Sequence, residues 1–138
     1  MNPPTKNPPA HKAHEQKSHR WERKAHERPT ALFEAALDIF EQEELFKRAQ
    51  ELAPYFEQAA HSLRELPNVI DIRNMGMVAA IELEPKPGKP TERAFNTYLK
   101  CFESNVLIRS TGDILALSPP LIISKAQIDE LIDSVAKA

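Results

Sequence analysis

Residues Asn105 to Ile123 read NVLIRSTGDILALSPPLII, two short apolar runs around a polar STGD corner, closed by a double proline. Apolar runs of four to five residues separated by a glycine-containing corner predict a β-hairpin, VLIRS (106–110) against ILALS (114–118). Arg109 stands inside the first run, beside the turn. Arginine is rarely buried without a partner, so this position calls either for an acid elsewhere in the fold or for a ligand.

Outward from the hairpin, periodicity assigns the remaining elements. On its C-terminal side, SKAQIDELIDSVAKA (124–138) places Ser124 and Gln127 at capping-box spacing and Ile128, Leu131, Ile132 and Val135 on one helical face. On its N-terminal side, Thr91 stands where it could cap a helix on which Phe95, Tyr98, Leu99 and Phe102 share a face. The preceding EPKPGKP (84–90) is a loop by composition. VIDIR (69–73) and MVAAIEL (77–83) alternate as strands do, with NMG between them and Gly76 available for a positive φ. Further back, Leu45, Ala49, Leu52, Phe56, Ala59, Leu63 and Leu66 recur at steps of four and three and lay one helical stripe. Pro54 interrupts that stripe, and an interior proline predicts a kink or a restart. Three heptads with a proline inside support core packing better than a coiled coil. Residues 31–42 form one more amphipathic segment, with Leu32, Ala36, Ile39 and Phe40 near one face.

The expected architecture is therefore an α/β (α+β) two-layer sandwich in the order α-α-β-β-α-β-β-α. A small antiparallel or mixed sheet is covered by helices on one face. At 138 residues the chain accommodates one such domain plus a tail. Residues 1–28 carry seven Lys/Arg against three Glu, four prolines in the first nine positions, and Trp21 as their one large apolar side chain, so a disordered basic tail is expected there. Residues 29–138 carry eleven Lys/Arg against seventeen Asp/Glu and form the expected folded part. The glutamates interleaved in the tail favour a solvated segment over a nucleic-acid arm. One cysteine, Cys101, excludes an intrachain disulfide, and no apolar run is long enough for a membrane helix or a secretion signal, so the expected location is cytoplasmic.

Chemistry-bearing residues are few. The three glycines, Gly76, Gly88 and Gly112, make no phosphate loop. His11, His14, His19 and His26 have no standard metal spacing and no cysteine or acid cluster beside them. Ser110, Ser118 and Cys101 are possible nucleophiles, but His61 is the one histidine of the folded part and lies on a helix. Cys101 reads as a small core residue, and Asp71 with Arg73 as a solvated, salt-bridging strand face.

NVIDIRNMGMVAAIEL, a short helix, and then NVLIRSTGDILALSPPLIISKAQIDELI together resemble the C-terminal small domain of class III, pyridoxal-phosphate-dependent aminotransferases, in the ω-amino acid:pyruvate (β-alanine:pyruvate) transaminase branch. The similarity covers about Thr30 to Ala138 in the family's order and spacing; residues 1–28 resemble nothing in it. The resemblance implies that Arg109 matches the arginine that pairs with the substrate carboxylate and can swing aside for substrates without one. The reading from residues alone, in which Arg109 pairs with Asp113 or a helix C-terminus, stays open at this point.

The family's Schiff-base lysine, its acidic partner of the pyridine nitrogen, its stacking aromatic and its phosphate donors belong to a large domain that would precede this segment. None of Lys47, Lys86, Lys89, Lys100 or Lys125 matches the lysine's context, and the partner-subunit threonine role is not carried to Thr30. The chain thus reads as a truncated transaminase, whether a gene remnant, a split-gene product or a mispredicted start. Pyridoxal phosphate is not expected to bind to it alone. Implied partners are amino acids, amines and keto acids, with a large-domain chain or a second copy, and neither nucleic acid nor membrane. The alternative is a non-catalytic α/β interaction module derived from that domain.

Overall fold

The computed structural model describes residues 30–138. The tail, with Trp21 and its four histidines, lies outside them. Contacts divide the chain between Glu43 and Glu44. Before the division, helix α1 (30–42) exposes Leu32, Phe33, Leu37 and Ile39.

From Glu44 onward the order is α2 (Leu45–His61), a 3-10 turn (Ser62–Glu65), β1 (Val69–Met75), β2 (Val78–Leu83), α3 (Glu92–Glu103), β3 (Arg109–Thr111), β4 (Ile114–Leu117) and α4 (Lys125–Lys137). With α1 this is the expected order. The four strands form one sheet in the order β1-β2-β4-β3, and every pair is antiparallel.

Alternation along the strands decides which face is buried. Ile72, Ala79, Ile81, Leu83, Leu115 and Leu117 are buried on one face, against Phe56 and Ala60 of α2 and Ile128, Ile132 and Val135 of α4. Helix α3 joins the same core through Ala94 and Cys101. The other face carries Arg73, Ala80, Ala116 and Arg109, which register side by side across all four strands. None of these four is buried.

Four local outcomes differ from the sequence expectations, each for a physical reason. Helix α2 runs through Pro54 without restarting. Pro54 and Gln50, whose carbonyl loses its amide partner, are both exposed, so the freed carbonyl lies on the solvent side and core packing on the opposite stripe carries the helix. Strand β1 extends to Met75, so the turn is the two residues Gly76 and Met77, with Gly76 at φ 56. Strand β3 starts only at Arg109; Asn105 is left-handed (φ 62) and the Val106 amide bonds to the Cys101 carbonyl, so the chain is still leaving α3 there. Thr91 precedes α3 but does not cap it, because its φ of 70 leaves the side chain without a cap bond. The α3 aromatics do share a face, at ring spacings of 5.9 Å (Phe95 to Tyr98) and 6.3 Å (Tyr98 to Phe102), but Phe95 and Phe102 are exposed.

The closing helix follows its sequence signal. The Gln127 amide donates to Ser124 Oγ (3.3 Å) and the Ser124 amide to Gln127 Oε1 (2.9 Å). Arg48 of α2 holds the loop before it, donating to the Ile122 and Ile123 carbonyls at 3.0 Å each. Among the described residues no helix is long and apolar enough to cross a membrane.

Leu115→Ala should cost about 2–5 kcal/mol in urea unfolding, since it empties the centre of the buried face. Pro54→Ala should raise the unfolding midpoint, because it restores a helical hydrogen bond at an exposed site and removes a residue that disfavours helix interiors by about 3 kcal/mol.

Candidate substrate-binding site

The β3–β4 hairpin turns on Gly112 (φ 61), with Thr111 opposite Ile114 and Arg109 opposite Ala116. Two bonds fix this hairpin. The Leu83 amide donates to the Asp113 carbonyl at 2.8 Å, and the Thr91 amide donates to Asp113 Oδ1 at 2.8 Å. Asp113 is therefore engaged with the loop before α3 rather than with Arg109. The Arg109 guanidinium is exposed and has no hydrogen-bond or ion-pair partner among the described residues.

The same row of the sheet ends in a second arginine under opposite conditions. Adjacent strands lie about 4.8 Å apart, which sets Arg73 and Arg109 about 14 Å apart at their backbones, with Ala80 and Ala116 between. Arg73 Nη1 bonds Glu82 Oε2 and Asp71 Oδ2 at 2.7 Å each. These bonds, that to Glu82 foremost, raise its pKa further above the usual arginine range. Asp71 was the sequence-visible partner; Glu82 belongs to β2, opposite Asp71 in register, and only strand pairing brings it in. Of the two arginines on this face, only Arg109 has its charge uncompensated.

Beside Arg109 a groove of about 760 Å³ runs between the hairpin and α4, with Leu107, Pro119, Pro120, Ile122 and Leu131 among its walls. Gln127 and Glu130 are its polar contributors from α4.

The other sequence candidates scatter. Cys101 is fully buried, its thiol directed at the Ser134 carbonyl (Sγ to O 3.8 Å), and burial pushes its pKa up. His61 meets Asn74 Oδ1 at 2.9 Å through Nε2 and Arg64 Nη2 at 3.3 Å through Nδ1. No serine or cysteine hydroxyl or thiol is bonded to it, and no metal-binding cluster occurs among the described residues.

The six described lysines also have separate occupations. Lys47 pairs with Glu44, Lys86 and Lys89 with Glu92, and Lys137 with Asp133. Lys100 bonds the Ala138 carbonyl, and Lys125 sits 4.9 Å above the Tyr55 ring. A lysine, a carboxylate and an aromatic plate around one cavity would be needed to hold pyridoxal phosphate. Three cavities among the described residues do not combine them: one includes Lys86 and Lys100 without an acid or an aromatic, the groove beside Arg109 includes no lysine, and a third puts Tyr55 with Asp129 and Asp133 but is lined by no lysine. None of the three gathers the groups that would hold that cofactor.

Comparison with known proteins places this arrangement. Residues 28–138 match the family described as aminotransferase class-III. An omega-aminotransferase of Caulobacter vibrioides is 46% identical over 113 residues, covering 82% of this chain and 26% of that protein. A beta-alanine–pyruvate aminotransferase of Pseudomonas aeruginosa is 38% identical over 121 residues, covering 88% of this chain and 27% of that protein. Among solved structures, a transaminase with L-Ala aligns at a TM-score of 0.66 and 28% identity, over 72% of this chain and 25% of its own. The chain thus spans about a quarter of the length of the relatives it matches.

Cys101 should resist a thiol reagent in the folded protein and react on unfolding in urea. Its raised folded pKa makes the buried thiol stabilising below the unfolded pKa. That contribution should fall away as pH rises through the folded value, and Cys101→Ala should flatten the alkaline limb of the stability profile.

Proposed function

Because the chain belongs to the class-III aminotransferases, we propose that residues 29–138 serve as the substrate-carboxylate-binding small domain of an ω-amino acid:pyruvate-type transaminase, inactive alone. The observation that carries this reading is the uncompensated guanidinium of Arg109 on the uncovered sheet face, while Arg73 in the same row is held by two carboxylates. A planar guanidinium donates two parallel hydrogen bonds to one carboxylate, which orients an amino acid or keto acid as well as binding it. Ala116, opposite Arg109 in register, and Ala80 beyond it leave room on that face. The groove next to Arg109 offers its side chain a place to turn when an amine without a carboxylate occupies the site.

The family's pyridoxal phosphate supplies the electron sink for moving an amino group. The described lysines are otherwise engaged, so the cofactor and the reacting lysine would come from a large domain supplied by another chain or an adjoining segment. The exposed aromatics of α3 favour a second reading, a non-catalytic interaction module.

A chimeric enzyme separates the two. In it, residues 28–138 replace the matching quarter of the Caulobacter omega-aminotransferase. Activity with β-alanine is expected, and Arg109→Ala should raise KM for carboxylate-bearing donors by about ten- to a hundredfold, with little effect on simple amines. A folded but inert chimera would favour the module. The isolated chain should show no saturable absorbance change with pyridoxal phosphate; a stoichiometric band discharged by an amine would refute inactivity alone.

A further inference from the structure

Strand β1 is an outer strand of the sheet, and only its β2 side is paired. Which of its backbone groups face the open edge follows from β2. The Leu83 amide donates to the Asp113 carbonyl, on the β4 side, and amides alternate sides along a strand, so Val78, Ala80 and Glu82 turn theirs toward β1. Their register partners Met75, Arg73 and Asp71 face inward in return, which leaves the amides and carbonyls of Ile72 and Asn74 pointing outward. Among the described residues nothing bonds to these four groups.

The side chains along this edge complement their own copies. Asp71 and Arg73 stand on either side of Ile72 and share the uncovered face, where they bond each other. If two β1 strands meet antiparallel with Ile72 opposite Ile72, those residues exchange both backbone bonds. Asp71 of each copy then falls opposite Arg73 of the other as a non-hydrogen-bonded pair, with Cα atoms about 4.5 Å apart. Sliding one copy by two residues keeps the outward groups in step but sets Asp71 against Asp71, or Arg73 against Arg73. Charge therefore selects a single two-fold register. Arg73 uses Nη1 for both its intrachain bonds, so Nη2 and Nε remain for Asp71 of a second copy. Ile70 and Met75, both exposed, bring apolar surface to the two ends. The bulge between Val69 and Asp71 ends the regular ladder there, so the contact is short and the charge pairs set it. The opposite outer strand, β3, has three residues, and an isologous β1 pair uses up the long edge of both copies.

We propose that the open edge of β1 is a self-association surface, where a second copy of this chain pairs antiparallel about Ile72 and Asp71 and Arg73 of the two copies form reciprocal ion pairs. The surface lies at the opposite edge of the sheet from Arg109 and stands independently of the transaminase reading.

The test follows the full chain by sedimentation from about 10 μM to 1 mM, where a small interface dissociates, and by amide hydrogen exchange. A monomer–dimer equilibrium is expected, with protection of the Ile72 and Asn74 amides that grows with concentration. Asp71→Arg and Arg73→Asp should each weaken the dimer by about tenfold or more, because each sets like charges opposite one another. Mixing the two variants in equal amounts should restore a dimer, and so should both changes in one chain, which keep an arginine opposite Glu82 in register. If Arg73→Asp alone does not fold, Asp71→Arg and the double variant carry the comparison. A monomer at every concentration, a dimer indifferent to both charge changes, or one abolished by Phe102→Ser on α3 would each overturn the proposal. Protection of Ile72 that does not vary with concentration would do so too, since the edge would then be covered from within the chain.

Discussion

One-sided burial of a narrow antiparallel sheet is the constraint on which the unit from Glu44 to Ala138 rests. Ile81, Leu115 and Leu117 lie at the centre of the two inner strands and are almost wholly removed from water, as are Phe56 and Ile128 on the helices above them. Full burial of a side chain of this size stabilises by about 1.5–3 kcal/mol, and the helices α2 and α4 draw their stability from that contact more than from propensity. Pro54 within α2 is the clearest sign of it, since tertiary packing sustains a helix that its own sequence interrupts.

Burying one face leaves the other uncovered among the described residues. Period two puts Arg73, Ala80, Ala116 and Arg109 on the same side once the strands are in register, and the order β1-β2-β4-β3 sends the two arginines to opposite edges. At one edge, Asp71 and Glu82 neutralise the charge. At the other, the nearest acid along the chain, Asp113, is occupied by the Thr91 amide and so does not compensate Arg109. The charge of Arg109 thus stays available on that face, which is what the proposed carboxylate binding would use.

Much of this was legible beforehand because it depends on spacing along the chain. The capping box of α4 involves residues three apart, and the hairpin turns involve glycines whose positive φ other residues adopt less readily. Thr91 failed as a cap for a reason no spacing contains: its amide is drawn to a carboxylate twenty-two positions away, and its backbone is left-handed. The aromatic face of α3 was visible as a face, yet its exposure was not. Amphipathic period says that residues share a side but not whether anything covers it, and the core takes Ala94 and Cys101 instead.

By itself the sequence determined the element order, the strand-like alternation of residues 69–73 and 77–83, the family motifs and the identity of Arg109 as the residue to explain. These follow from local periodicity and turn chemistry, which act over a few residues. Tertiary structure alone decided that the sheet is wholly antiparallel, that Glu82 joins Asp71 on Arg73, and that Asp113 turns away from Arg109. Each of those depends on which distant segments share a strand edge or a cavity wall, and a one-dimensional pattern does not encode distance in space.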